Sequence, residues 1–340
     1  MTRVERLDRY QRRHRWLGLP LAVIYKFFDD RGPHLAALVT YYAFVSLFPL
    51  LLLLFSALAF FLQGHPDVRQ DVEQALLRNF PTIGPDLKRN IETIHGSGIA
   101  LSAGVLGTLY GGLGAMQAAQ ASFNLIWGVP RNRQPNPLRS RLRSLALLLL
   151  LGSGVIVSTG GAAILSTANG ISRQVGPAIE VGGYLLNYAI SIALFVAAFR
   201  VLTALPLRVR QVLPGAAISA GGWIVLQILG SSFIAQMLTN SNALYGVFAV
   251  VLATLAWLYL QSVIVMLAAE VNVVRVRRLW PRALLTPFTD DAELTPADRQ
   301  AYAMYAATQR FKGFEQVTTE FARPATTDDD PEAHSERLGA

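Results

Sequence analysis

Glu270 is the sole acidic residue within the long apolar runs of this chain. A carboxylate deep in a bilayer costs on the order of 2.5–3.5 kcal/mol unless it is paired or hydrated. It lies near the end of its run, as Arg200 does in another, and equal depth predicts an Arg200–Glu270 ion pair. Such a pair would serve as a gate or a proton-sensitive switch. The alternatives are a purely structural pair, or a Glu270 that reaches interfacial water beside Arg275. A second set of groups is uncharged. Tyr41, Tyr42, Ser46 and Pro49 share one run, Asn124 sits in another, and Tyr245, Gln261 and Asn272 share the run of Glu270. Hydroxyls and amides at such positions either line a polar path for a lipid head group or small solute, or join helices by hydrogen bonds worth about 0.6 kcal/mol each. Pro49 adds a local demand, because a proline inside a helix leaves the Val45 carbonyl without its partner.

Other chemistries find no residues to carry them. The histidines, His14, His34, His65, His95 and His334, lack metal-ligand spacing, so no metal site is expected. There is no cysteine, no Gly-Lys-Ser/Thr phosphate loop and no Gly-x-Ser-x-Gly elbow. No cofactor and no enzymatic activity are expected. The net charge of +8 admits nucleic acid as a partner, but the placement of the arginines has another explanation in the membrane.

The elements that must position these groups follow from hydropathy. Mean hydropathy is +0.37 over 340 residues, with 52% hydrophobic and 15% charged, against about 25% charged in soluble domains. Runs of about 20 apolar residues cross a bilayer as helices. Six are expected, over 35–62, 99–127, 145–168, 182–205, 214–238 and 243–274, making an all-α polytopic bundle. In the second run Gly104, Gly107, Gly111, Gly114 and Ala118 form one stripe that permits close helix approach. Pro214 is expected to open the fifth span, where a helix start tolerates it.

Residues 1–34 form a basic arm in which Trp16–Phe28, too short to span, reads as an interfacial helix anchored by Trp16. Residues 63–98 show two amphipathic patterns, read as short extracytoplasmic helices over the bundle or as a solvated loop. Residues 275–340 form a tail with a helix starting at Thr295-Pro296-Ala297-Asp298 and disorder beyond Phe321. The arm, 128–143, 206–213 and 275–282 are all Arg-rich and fall on one side of a six-span path. Short-loop Lys/Arg excess marks the cytoplasmic face, so both termini are expected inside. There the arginines would meet anionic lipid head groups, each contact worth roughly 1 kcal/mol. Homo-oligomers are compatible with this surface.

Several blocks together resemble a known family. Tyr41-Tyr42 followed by Ser46-Leu47-Phe48-Pro49 is similar to the first-span signature of the YihY family of bacterial inner-membrane proteins, also called BrkB and once labelled ribonuclease BN. Pro214-Gly215-Ala216 with Trp223, Tyr245-Gly246 with Trp257-Leu258-Tyr259, and Ala269-Glu270-Val271-Asn272 match its later blocks in order. Ala268 stands where the family's closing motif usually has glycine. The resemblance covers roughly 16–280. It implies a six-span helical bundle in the cytoplasmic membrane, and an association with serum resistance and with lipid or envelope export. The ribonuclease label is regarded as a misassignment. From the residues and the resemblance together, the expected function is that of a transporter or flippase-like protein for lipid or an amphipathic envelope component. A non-transporting envelope scaffold is the alternative, and ribonuclease activity is not expected.

Overall fold

In lipid every backbone N–H and C=O must be satisfied within the chain, which leaves helices for long apolar runs. The computed structural model describes residues 3–61, 98–152, 176–240, 243–286, 289 and 293–321, and all regular structure among them is helical. Helix α1 spans Arg3–Arg13, α2 Arg15–Asp29, α3 Gly32–Phe61 and α4 Gly98–Ile126. Helix α5 covers 137–152. Helix α6 spans Gly176–Leu202, α7 Val209–Asn240, α8 Ala243–Arg277 and α9 Pro296–Thr308. The amphipathic segments expected over 63–98 lie outside the described residues but for residue 98, as do most of the third span and the chain beyond Phe321.

Three stretches among the described residues are long and apolar enough to cross a membrane, namely Val181–Leu202, Val209–Gln227 and Val251–Arg277. Helix α8, with 35 residues, is about 50 Å long at about 1.5 Å per residue. It is the central element, packing against α2, α3, α4 and α7. Helix α3 runs unbroken through Pro49 and lies along α4. The small-residue stripe of α4 makes that contact. A Cβ on Gly107 would come within 2.8 Å of Pro49, one on Gly111 within 2.7 Å of Ser46, and one on Gly114 within 2.5 Å of Tyr42.

The well-buried core gathers at one end of the bundle. Phe27 of α2, Phe123, Ile126 and Trp127 at the end of α4, Phe199 of α6, Val212 of α7 and Met266 and Val273 of α8 are all buried there. Away from that end the helices expose large apolar side chains, among them Leu106, Tyr184, Leu185, Leu229 and Phe248. Lipid, being as apolar as these side chains, provides no penalty for that exposure.

One expectation changes. Pro214 lies inside α7, which begins earlier at Val209. The proline therefore costs a helix hydrogen bond instead of opening the helix. The first helix of the arm is tied to the residues after α8. Asp8 of α1 accepts from Leu284 N–H at 2.9 Å, and Gln11 Nε2 donates to the Arg282 carbonyl at 2.6 Å. The tail helix α9 begins where the sequence places it. Its cap Thr295 accepts from Asp298 N–H, and Asp298 in return accepts from Thr295 N–H at 3.0 Å.

Candidate functional site: a buried charge cluster

Helix α2 carries its charge inward. Trp16, Pro20, Ile24 and Phe28, four residues apart, form an exposed stripe without a charge. Ala22, Val23, Lys26 and Phe27 face in, and Asp30 follows as the buried C-cap. The ammonium of Lys26 is the hub. It donates to Asp30 Oδ2 one turn on and to the carbonyl of Ile126 at 2.9 Å, and lies 3.1 Å from Glu270 Oε2. Ile126 ends α4, where carbonyls lack intrahelical partners and a cation suits the helix dipole. One lysine thus joins α2, the end of α4 and the central α8. The Tyr305 ring of α9 covers it, 5.6 Å from Nζ.

Burial is nearly complete. The side chains of Lys26, Asp30 and Glu270 are 1%, 3% and 0% exposed. Two carboxylates therefore share one ammonium out of water. Glu270 Oε2 contacts the ammonium without the alignment of a hydrogen bond, and Oε1 has no partner among the described residues. Burial pushes the Asp30 carboxyl above the ordinary range, and the nearby Lys26 only partly offsets it. Burial acts to lower Lys26, but Glu270 and Asp30 outweigh it and hold the ammonium above its ordinary value.

A second hub sits one residue away. Arg282 donates from Nη1 to Asp29 Oδ2 at 2.7 Å and from Nε to Asp298 Oδ1 at 2.8 Å. Tyr305 OH also donates to Asp29, at 3.2 Å. Asp298 accepts from Ala283 N–H as well, at 3.0 Å. The adjacent acids Asp29 and Asp30 thus tie the tail helix to the buried cluster.

The expected Arg200–Glu270 pair is not formed. Arg200 is exposed at the end of α6 and donates from Nε to the Leu207 carbonyl at 3.0 Å. Lys26 takes its place beside Glu270 because α2 packs directly on α8. Two of the uncharged candidates, Asn124 and Asn272, tie separate elements together. Asn124 Oδ1 accepts from Ala204 N–H at 2.8 Å, holding the end of α4 to the segment after α6. Asn272 Oδ1 accepts from Gly215 N–H at 2.8 Å and its Nδ2 donates to the Val212 carbonyl at 3.2 Å. That bridge spans the Pro214 interruption of α7. It also requires glycine at 215, where a Cβ would stand 2.3 Å from the Ala268 carbonyl oxygen. Two separate sequence blocks, Pro214-Gly215-Ala216 and Ala269-Glu270-Val271-Asn272, thereby meet.

Tyr42, Ser46 and Pro49 pack on the α4 stripe, and the Ser46 hydroxyl donates to the Ala43 carbonyl at 2.7 Å. Tyr41 points outward, with its ring edge-on to Tyr42 at 5.3 Å. Gln261 is half-buried on α8. The side chain of Tyr245 lies outside the described residues. Lys26, Asp29, Asp30 and Arg282 were not singled out from sequence. The signal for Lys26 was present as a lysine four residues before an aspartate inside an apolar run, with apolar residues alone on the opposite face.

Among the described residues no group of three or more His, Asp or Glu side chains is placed to hold a metal. Long apolar helices, outward apolar faces and a buried ionic cluster at one end define an α-helical integral membrane protein. Comparison with known proteins places it further. The profile described as virulence factor BrkB matches residues 23–287, and the chain belongs to this BrkB/YihY family. A UPF0761 membrane protein of Azotobacter vinelandii is 30% identical over 76% of this chain and 63% of its own length. The inner membrane protein YhjD of Escherichia coli is 26% identical over 69% of this chain and 74% of its own. A Bacillus subtilis relative, 24% identical over 73% of this chain and 91% of its own, carries a ribonuclease-like name. The chain thus spans somewhat under two thirds of the Azotobacter relative. No solved structure matches it.

Proposed function

We propose that the chain is a six-span protein of the bacterial cytoplasmic membrane, with both termini inside, that moves a lipid or amphipathic envelope component across the bilayer without an ATPase of its own. The observation that carries this reading is the Lys26–Asp30–Glu270 cluster. Well-packed apolar residues often stabilise a fold as well as a buried ion pair does, or better. Ionisable groups within spans tend to mark relays and substrate paths. Arginines of the 128–143 and 206–213 loops and Arg275, Arg277 and Arg278 are proposed to hold anionic head groups on the inner face, in a monomer or a homo-oligomer.

The test is flux of labelled lipid in vesicles of purified chain, with and without a pH gradient. Transport above protein-free vesicles, lost in Glu270→Gln, is expected. Flux equal to that of protein-free vesicles under every gradient rejects transport.

A scaffold reading has its own support. Tyr42, Ser46 and Pro49, candidates for a pathway, are instead packed against the glycine stripe of α4. In a scaffold, Glu270→Gln would leave envelope phenotypes intact while Gly111→Leu abolishes them.

A further inference from the structure

We propose that the Lys26–Asp30–Glu270 cluster is a proton-binding site that holds one exchangeable proton between its two carboxyl groups. This deepens the reading of the cluster as the working site of a transporter, but it rests on geometry that is independent of any cargo.

With every group ionised, one ammonium faces two carboxylates and the cluster carries a net negative charge, at side-chain exposures of 1%, 3% and 0%. An uncompensated charge out of water is costly, and such a group neutralises instead. Two carboxylates sharing a site keep one proton between them for the same reason. Other cations do not relieve the imbalance. Arg282 is held by Asp29 and Asp298, and Arg200 is turned to the Leu207 carbonyl.

The groups around the cluster can be named element by element. Helix α2 and its cap contribute Lys26, Asp29 and Asp30. Helix α4 contributes the Ile126 carbonyl, an acceptor already served by Lys26. Helix α9 contributes Tyr305, whose hydroxyl donates to Asp29. Helix α8 contributes Glu270 itself. No donor among the described residues reaches Glu270 Oε1. A charged oxygen is costly in that position, whereas a proton held in the hydrogen bond between the Glu270 and Asp30 carboxyl groups neutralises one of them without a further cation.

Solvent comes nearest on the side of α9. Asp29, next to Asp30 in sequence and bonded to Tyr305 of α9, is 28% exposed, against 3% for Asp30. A proton leaving the pair would pass to water on this side. The residual negative charge then favours hydration of the cluster and separation of α2 from α8. Protonation state and the α2–α8 contact are thus linked.

Infrared spectroscopy of the full chain in lipid vesicles tests this directly. The native protein at neutral pH is expected to show the C=O stretch of one buried carboxylic acid, shifted in heavy water. Glu270→Gln and Asp30→Asn should each remove it, since either leaves one carboxylate for one lysine. Arg200→Gln should retain it. The proposal is overturned if the native protein shows no such band, which needs no variant to fold, or if the band survives unchanged in both carboxyl variants. The band and lipid flux fail separately. A band without flux rejects transport and keeps the proton site, and flux without a band does the reverse.

Discussion

At the scale of single residues, the molecule turns on how Lys26 is served and whom it serves. It caps α4 through Ile126 and offsets Asp30 and Glu270 at once. Removing one partner of a buried ionic group costs about 3–5 kcal/mol, because the remaining charges are left unpaired. Lys26→Met is therefore expected to lower stability by about that much in detergent unfolding. Arg200→Gln, which loses a bond to a loop carbonyl, should cost far less. Equal losses would contradict the assignment of Lys26 as the partner of Glu270. Asp30 sets the pH dependence. Burial raises its carboxyl above the ordinary value, so the folded chain binds that proton more tightly than the unfolded one. Its contribution to stability is whole below about pH 3.9, the ordinary aspartate value, and is lost as pH rises through the raised folded value. Lys26, held high by both acids, stays charged across this window. Asp30→Asn should flatten the thermal stability profile there and leave the protein at least as stable at mildly alkaline pH.

At the scale of elements, two helix faces carry the argument. The α4 stripe meets α3 at Tyr42, Ser46 and Pro49, and a Cβ at Gly111 would already press within 2.7 Å of Ser46. Gly111→Leu should therefore cost about 1–3 kcal/mol by overpacking, read as a lower midpoint of thermal unfolding in detergent. The stripe was legible in sequence because close helix contact in lipid demands small residues at fixed spacing, whatever the partner. The partner of Glu270 was not legible. Pairing by depth among spans ignores a short helix that docks its lysine from the side, and an apolar run broken by Lys26 reads first as a helix with its charge in water. Helix α2 has the reverse polarity. With Trp16, Pro20, Ile24 and Phe28 outward and Lys26 buried, its exposed face suits lipid. In a variant keeping Trp16 as its one tryptophan, fluorescence should be quenched by brominated lipid more than by iodide in the buffer. Preferential quenching by iodide would place that face in water.

At the scale of the whole molecule, the ionic layer and the buried core occupy the same end of the bundle, and α1, α2 and α9 close over it. This asymmetry bears on orientation. The ends of α4, α6 and α8 that reach the layer are their C-terminal ends, and α7 enters it at its N-terminal end. Alternate helices thus run in opposite senses, as a zigzag through lipid requires. Arg131, Arg133 and Arg208 lie in the connections at this end, Arg210 in the first turn of α7, and Arg275 and Arg277 in the last turn of α8. Arg-rich short connections face the cytoplasm, so the layer is expected on the inner side. Reporters fused before Arg3 and after Trp280 should then be active only inside the cell, and one inserted in 63–98 only outside. An outward reporter after Trp280 would invert the layer. The proton of the Asp30–Glu270 pair would then exchange with the external face, and any coupling of flux to a pH gradient would reverse its sign.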